Sequence, residues 1–184
     1  MSGLEAASER SRDKVVLMDG SIVGLRRAQP KDDAIIEEFL NNLSEESVEF
    51  RFFDSVLDRS VLLKQLVPAP NNYVLIAIKD GRVIGHVAYY KAGGDNAEIG
   101  IIVTDAFQRK GLGTMMLERI ARIANEDGIS VFETIISKEN TKMIRMVRDM
   151  GFPTAIKMET DMIRIRFPTS IDPITIGEFE AKDL

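Results

Sequence analysis

Residues Gln108 to Thr114 read QRKGLGT, with glycines at 111 and 113 behind a basic pair, Arg109 and Lys110. They stand between an apolar run, Glu98 to Val103, and a helical pattern, Leu112 to Ala124. The first N–H groups of a helix lack an intrahelical partner, and the helix dipole adds about half a positive charge there. Glycine lets the backbone approach a ligand closely and adopt conformations that other residues avoid. From Gln108 to Arg122 there are four cations (Arg109, Lys110, Arg119, Arg122) against Glu118, a local +3 in a chain of net charge −5. Together these features suit a pyrophosphate. The turn is no dinucleotide fingerprint, because Met116 fills the third glycine position, and no P-loop, because a closing Gly-Lys-Ser/Thr is absent.

Other chemistries are narrowed by composition. With no cysteine, disulfides and thiolate chemistry are excluded. The single histidine, His86, cannot build a zinc site with other His or Cys ligands, and no Gly-x-Ser-x-Gly elbow accompanies it, so no metal is expected. It lies in the strand-like stretch RVIGHVAYY and reads as a structural or surface residue. The net charge of −5 gives no support to a nucleic-acid partner, so a polyanion must be held by local positive charge. No signal peptide is evident, and no apolar run approaches the 18 or so residues of a membrane span. The reading is a cytoplasmic chain without a membrane partner.

The elements that must position the turn follow from periodicity. The first 14 residues are polar and patternless and are expected to fray. Residues 15–184 are expected to form one domain. DGSIVGLRR gives a turn and a short strand, and QPKDDAIIEEFLNNLS a helix with Ile35, Ile36, Phe39, Leu40 and Leu43 on one stripe. Further helices are predicted over Glu45–Phe52 and Val56–Val67. The stretch NYVLIAIKDGRVIGHVAYYK is a hairpin turning at Asp80-Gly81, followed by a third strand, AEIGIIVT. A helix then carries Leu112, Met116, Ile120 and Ile123 on one face and stops at Gly128. SVFETIIS is a strand, NTKMIRMVRDMG a helix and MIRIRF a last strand. This order predicts an α/β domain with a mixed sheet, in which a right-handed crossover makes the strands around Ala97 and Ser137 parallel.

On these residues the chain resembles the acyl-CoA-binding core of the GNAT N-acetyltransferase superfamily. QRKGLG at 108–113 matches the family turn, Gln/Arg-x-x-Gly-x-Gly/Ala, at all three fixed positions. The element order and the tail Asn140, Gly151, Phe152 also agree, so that the resemblance spans roughly residues 22–167. It implies a centrally splayed sheet with helices on both faces, and acetyl-CoA as co-substrate. The main chain of Arg109, Lys110, Gly111, Leu112, Gly113 and Thr114, after Gln108, would then bind the pyrophosphate. Ile102 and Val103 would pair with the pantetheine arm as an added strand does. Asn140, which can equally cap a helix, and Met143 would lie beside that arm.

Attack on a thioester requires a free amine, and at neutral pH only about one lysine in a few thousand is unprotonated. A base is needed, and with no histidine at hand a carboxylate serves. Glu98 is the candidate, since protein-acetylating relatives carry a base glutamate at this point. Its neighbours Ile99, Ile101, Ile102 and Val103 lead us to expect partial burial and a raised pKa. Many relatives hold a protonating tyrosine four residues before the Gly-Phe pair; here Val147 stands there. Tyr73, Tyr89 and Tyr90 read as packing or substrate-side residues.

The N-terminal third is similar to Pat-type protein lysine acetyltransferases, through Pro30–Asp32, Ser44–Ser47 and Arg51–Phe53. That likeness implies a protein lysine as acceptor, an acyl-CoA synthetase being a target class of the group. Glutamates 45, 46 and 49 are candidate contacts to a basic target surface. Two alternatives stay open: a small-molecule amine acetyltransferase and a non-catalytic acyl-CoA sensor. A homodimer is left open too.

Overall fold

Alternating apolar side chains build a sheet that is buried on both sides, and the helices supply the two covering layers. The computed structural model describes residues 13–52 and 58–183. The strands are β1 (Asp13–Val16), β2 (Ile22–Arg27), β3 (Asn72–Lys79), β4 (Arg82–Gly93), β5 (Asn96–Val103), β6 (Val131–Ser137), β7 (Ala155–Met158) and β8 (Met162–Pro168). They form one sheet in the order β1-β2-β3-β4-β5-β6-β8-β7. The helices are α1 (Asp33–Asn41), α2 (Glu45–Phe52), α3 (Arg59–Leu66), α4 (Leu112–Glu126), α5 (Thr141–Asp149) and α6 (Pro173–Asp183). The mixed α/β fold is therefore the expected one.

Local chemistry accounts for the boundaries. Asp80 and Gly81 both have positive φ, 50° and 78°, the geometry of a tight hairpin that matches strand twist. Asp58 caps α3 by accepting from the Ser60 N–H at 2.7 Å. Gly128, at φ 81°, ends α4. The helix expected from Val56 thus begins at Arg59; Val56 and Leu57, like Phe53, lie outside the described residues.

Every neighbouring strand pair is antiparallel except β5–β6, which is parallel and has only three rungs: Asn96–Val131, Ala97–Phe132 and Glu98–Glu133. Beyond Glu98 the two strands part, leaving the backbone of Gly100 to Val103 unpaired on its β6 side. This is the central splay. One core, containing Met116, Ile120, Phe132 and Phe167, fills the face under α4 and α5. The other, containing Phe39, Leu40, Leu62 and Ile76, fills the face under α1 and α3.

Three elements differ from the sequence expectation. Asp13 and Lys14, placed in the fraying segment, belong to β1, which pairs with β2 through Asp13–Leu25 and Lys14–Gly24. β7 is a four-residue edge strand paired to β8, and its sequence, AIKM, is too short to show a period. Helix α6 has no clear amphipathic stripe and docks mainly through Phe179, 1% exposed. Among the described residues no helix is long and apolar enough to cross a membrane.

Candidate active site

The glycine turn sits where β5, having lost its β6 partner, runs into α4. A short 3-10 turn, Asp105–Phe107, reverses the chain, and Arg109 and Gly111 then take positive φ, 59° and 84°. Positive φ at a non-glycine residue such as Arg109 is uncommon and costs energy, so the surrounding turn must hold it. Left-handed residues spaced along a turn are the backbone pattern by which neighbouring N–H groups converge on an anion. The first helical bond of α4 runs from the Met115 N–H to the Gly111 carbonyl at 3.1 Å. The N–H groups of Leu112, Gly113 and Thr114 therefore have no intrahelical partner.

The side chains around the turn behave less uniformly than their charges suggested. Lys110 Nζ is 2.8 Å from Asp19 in the β1–β2 turn, and its carbonyl accepts from the Met18 N–H at 3.0 Å. Hydrogen bonding by the Lys110 ammonium, together with Ser21, holds the Asp19 carboxyl well below the usual carboxylate range. Arg119 pairs with Asp13, and Arg122 with Glu126 at 3.8 Å. The local +3 is thus largely neutralised by carboxylates from outside the counted window. Arg109, exposed and without an ion pair among the described residues, is the cation of that set left to a ligand.

Gln108 faces inward and acts as a brace. Its Nε2 donates to the Val103 carbonyl and to Asp105 Oδ1, both at 3.0 Å, and to Ser47 Oγ at 3.3 Å. Its Oε1 accepts from Lys142 Nζ at 3.2 Å, and Ser47 Oγ donates to Asp105 at 2.8 Å. One amide thereby ties the end of β5 to α2 and α5. Ser47 was noted in the sequence only within the Ser44–Ser47 segment and Lys142 not at all, because no local spacing links residues some 60 and 30 positions away to the turn.

The remaining predicted binding positions divide. Leu112 and Met143 are core residues, 1% and 6% exposed, so Leu112 offers a ligand its main chain and Met143 little surface. Ile102 packs under α1–α3, while Val103 packs against the α4 side; both lie on the unpaired stretch of β5. Asn140 stands at the N-cap of α5 but its side chain makes no capping bond, so the amide is not spent on the helix. Gly113 does not leave its space to a ligand. A Cβ there would meet Met146 Sδ at 3.2 Å and Ile101 Cδ1 at 3.9 Å, which makes it a packing glycine between α4 and α5.

Glu98 occupies the last rung before the splay. It is exposed, which corrects the expected partial burial. Strand alternation is the reason: Ile99, Ile101 and Val103 point to the α4 face, while Glu98 shares the other face with Gly100 and Ile102. Its partner in β6 is Glu133, so two carboxylates stand side by side on one face. Glu133 is held by Arg164 and by Arg166 Nε at 3.3 Å, whereas Glu98 has no ion pair among the described residues.

Across β4, Tyr90 faces Glu98, and its hydroxyl donates to the Gln65 carbonyl. Burial holds that phenol above its ordinary pKa. Tyr73 and Tyr89 stack with ring centroids 5.7 Å apart in the other core. Val147 is fully buried against the same core and offers no proton. A separate cleft of about 220 Å³ lies at the start of β5 and β6 beneath α6, lined by Asn96, Arg166 and Phe179. It is distinct from the turn.

These features fit the pyrophosphate and pantetheine of acetyl-CoA: a cradle of free N–H groups, an exposed arginine and an unpaired strand edge in line. Acetyl-CoA at one hundred times its dissociation constant is expected to stabilise the protein by about 2.7 kcal/mol, or about 5–10 °C in melting temperature. Gly111→Val, which forces a β-branched residue to φ 84°, is expected to lower the melting temperature of the free protein slightly and to remove the ligand shift. A full shift retained in that variant, read by thermal denaturation, rules out the turn as the seat.

Comparison with known proteins agrees with this geometry. A model of the acetyltransferase (GNAT) family matches residues 33–152. The GNAT domain of S. lividans PAT is 28% identical, with a TM-score of 0.77 over 86% of this chain and 97% of that one. An acetyltransferase-family protein from Salmonella typhimurium, solved with acetyl-CoA, shares the fold at 20% identity and a TM-score of 0.61, covering 83% and 96%. So does the spermidine N-acetyltransferase of Vibrio cholerae, solved with CoA and spermine, at 16% identity and a TM-score of 0.61, covering 80% and 95%. With the family model matching well over half its length, this chain belongs to the GNAT acetyltransferase family and is an acetyl-CoA-dependent N-acetyltransferase.

Proposed function

We propose that the acceptor is a lysine side chain on a protein and that Glu98 is the general base. The observation that carries this reading is the place of Glu98, exposed and without an ion pair among the described residues, on the last rung before β5 and β6 separate. Acetyl-CoA supplies an activated acetyl group as a thioester. The turn at Arg109–Thr114 holds its pyrophosphate by main-chain N–H groups, and the free edge at Ile102 and Val103 lines up its pantetheine. The Asn140 amide, not spent on capping its helix, bonds that arm. Glu98 accepts a proton from the lysine ammonium, directly or through one water, and so generates the nucleophile. With Val147 buried and apolar, no protein acid is assigned to the departing sulfur, which leaves as thiolate or takes its proton from water.

The protein acceptor is supported by the 28% identity to the GNAT domain of S. lividans PAT over nearly the whole chain. It is also supported by helix α2, which opens with Glu45 and Glu46 and carries Glu49, an acidic approach to a basic surface. Attraction of this kind acts mainly on association rate and weakens with salt. Incubation with acetyl-CoA and a soluble lysate from the source, followed by mapping of new acetyl-lysines, is expected to mark one or a few proteins, an acyl-CoA synthetase among them. Rapid acetylation of polyamines or amino sugars, with no protein above the non-enzymatic background, points instead to a small-molecule acceptor. Acetyl-CoA binding without transfer to any amine points to a sensor.

A further inference from the structure

The face of β5 that carries Glu98 also holds a cation with no role so far. Arg51, in the last turn of α2, sets its guanidinium against Gly100 where a side chain would stand. A Cβ at position 100 would stand 2.2 Å from Cζ and from Nη2, and 2.6 Å from Nε. Gly100 is bare because the arginine fills the space of its side chain. It lies two residues beyond Glu98 on the same face, about 7 Å along the strand, where β5 has already lost its β6 partner.

This guanidinium is poorly satisfied. Arginine carries five N–H donors in a planar fork. Nη2 has one long contact, 3.5 Å to the Tyr90 hydroxyl, and Cζ lies 5.0 Å from the Phe52 ring centroid. Nε is buried without a partner. No carboxylate among the described residues is paired with Arg51. A buried donor left unbonded is unfavourable, and an oxygen brought by a ligand relieves it.

We infer that Arg51 determines acceptor specificity by taking a main-chain carbonyl oxygen of the acceptor lysine while Glu98 takes its amine. The separation of Gly100 from Glu98 along β5 is comparable to the reach of an extended lysine side chain. A plain alkylamine offers no such oxygen, and a polyamine brings a second cation against the guanidinium. The inference rests on the reading of Glu98 as the amine-side residue.

The test compares a blocked lysine peptide with hexylamine as acceptors, in the parent, Arg51→Gln, Arg51→Lys and Gly100→Ala proteins. The Gly100→Ala methyl displaces the guanidinium without removing it, at the flexible end of a side chain. Arg51→Gln is expected to raise KM for the peptide about 10–100-fold, the range for a hydrogen bond to a charged group, with KM for acetyl-CoA and all constants for hexylamine unchanged. Gly100→Ala is expected to show the same loss of selectivity, and Arg51→Lys not to restore it, since an ammonium lacks the planar fork. Peptide affinity by calorimetry, which needs no turnover, is expected to fall in parallel. Equal losses on both acceptors, or parental peptide affinity in Arg51→Gln, overturn the inference. If Glu98→Gln keeps parental turnover while Arg51→Gln still loses peptide affinity, the base assignment fails and the role of Arg51 stands.

Discussion

Replacing Glu98 by glutamine is expected to slow turnover by about 10²–10⁴-fold while acetyl-CoA affinity is unchanged. Glutamine keeps the size and polarity of the side chain and removes only its ability to accept a full proton. Because Glu98 is exposed and has no ion pair among the described residues, stability is expected to stay within about 0.5 kcal/mol of the parent. Glu133 is the control. It lies beside Glu98 on the same rung, but its carboxylate is engaged by Arg164 and Arg166. Glu133→Gln is therefore expected to retain most of the activity and to lose stability instead. Initial rates with acetyl-CoA and an amine acceptor decide the matter. Parental turnover in Glu98→Gln, or a slower Glu133→Gln, moves the base away from Glu98.

The second large effect is on stability and comes from His86. The ring is fully buried in β4, stacked 6.4 Å from Phe39, and its Nε2 donates to the Leu66 carbonyl at 2.8 Å. Burial, aided by the nearby Arg51 charge and opposed by that hydrogen bond, pushes its pKa down to about 4 from 6.5. The unfolded chain therefore binds this proton more readily than the folded one. Stability from the neutral ring is fully present above pH 6.5 and is lost as pH falls towards 4. The loss over that window is about 3 kcal/mol. Urea denaturation of the parent and of His86→Gln at pH 7 and pH 4 isolates the contribution, because the other titrating groups are common to both. The parent is expected to lose about 3 kcal/mol more than the variant between the two pH values. Equal losses exclude His86 as the acid-sensitive group.

Much of the fold could be read from local rules. Asp80-Gly81 specified its hairpin because only that kind of pair takes two positive φ angles cheaply. The 3.6-residue stripe of α4 marked its buried face through Leu112, Met116 and Ile120. The turn at 108–114 was visible as a glycine turn opening a helix, since backbone conformation and helix polarity depend on neighbouring residues alone. Edge strand β7 and the weakly patterned α6 were not visible. Each is held by a long-range partner, β8 and a buried Phe179, and not by its own period.

The chemistry of the site divides along the same line. Residue types by themselves determined which groups exist: one histidine in a strand pattern, no thiol, a glycine turn, and Glu98 as a carboxylate without a neighbouring histidine to do its work. Their electrical and steric state was decided only by the tertiary structure. Most of the local +3 at the turn was offset because Asp13 and Asp19, distant in sequence, fold onto Arg119 and Lys110. Glu98 proved exposed because alternation sends its apolar sequence neighbours to the opposite face. Glu133 came to stand beside it through a parallel register that no local signal encodes. Charge and burial are sums over all neighbours in space, and most of those neighbours are supplied by the fold.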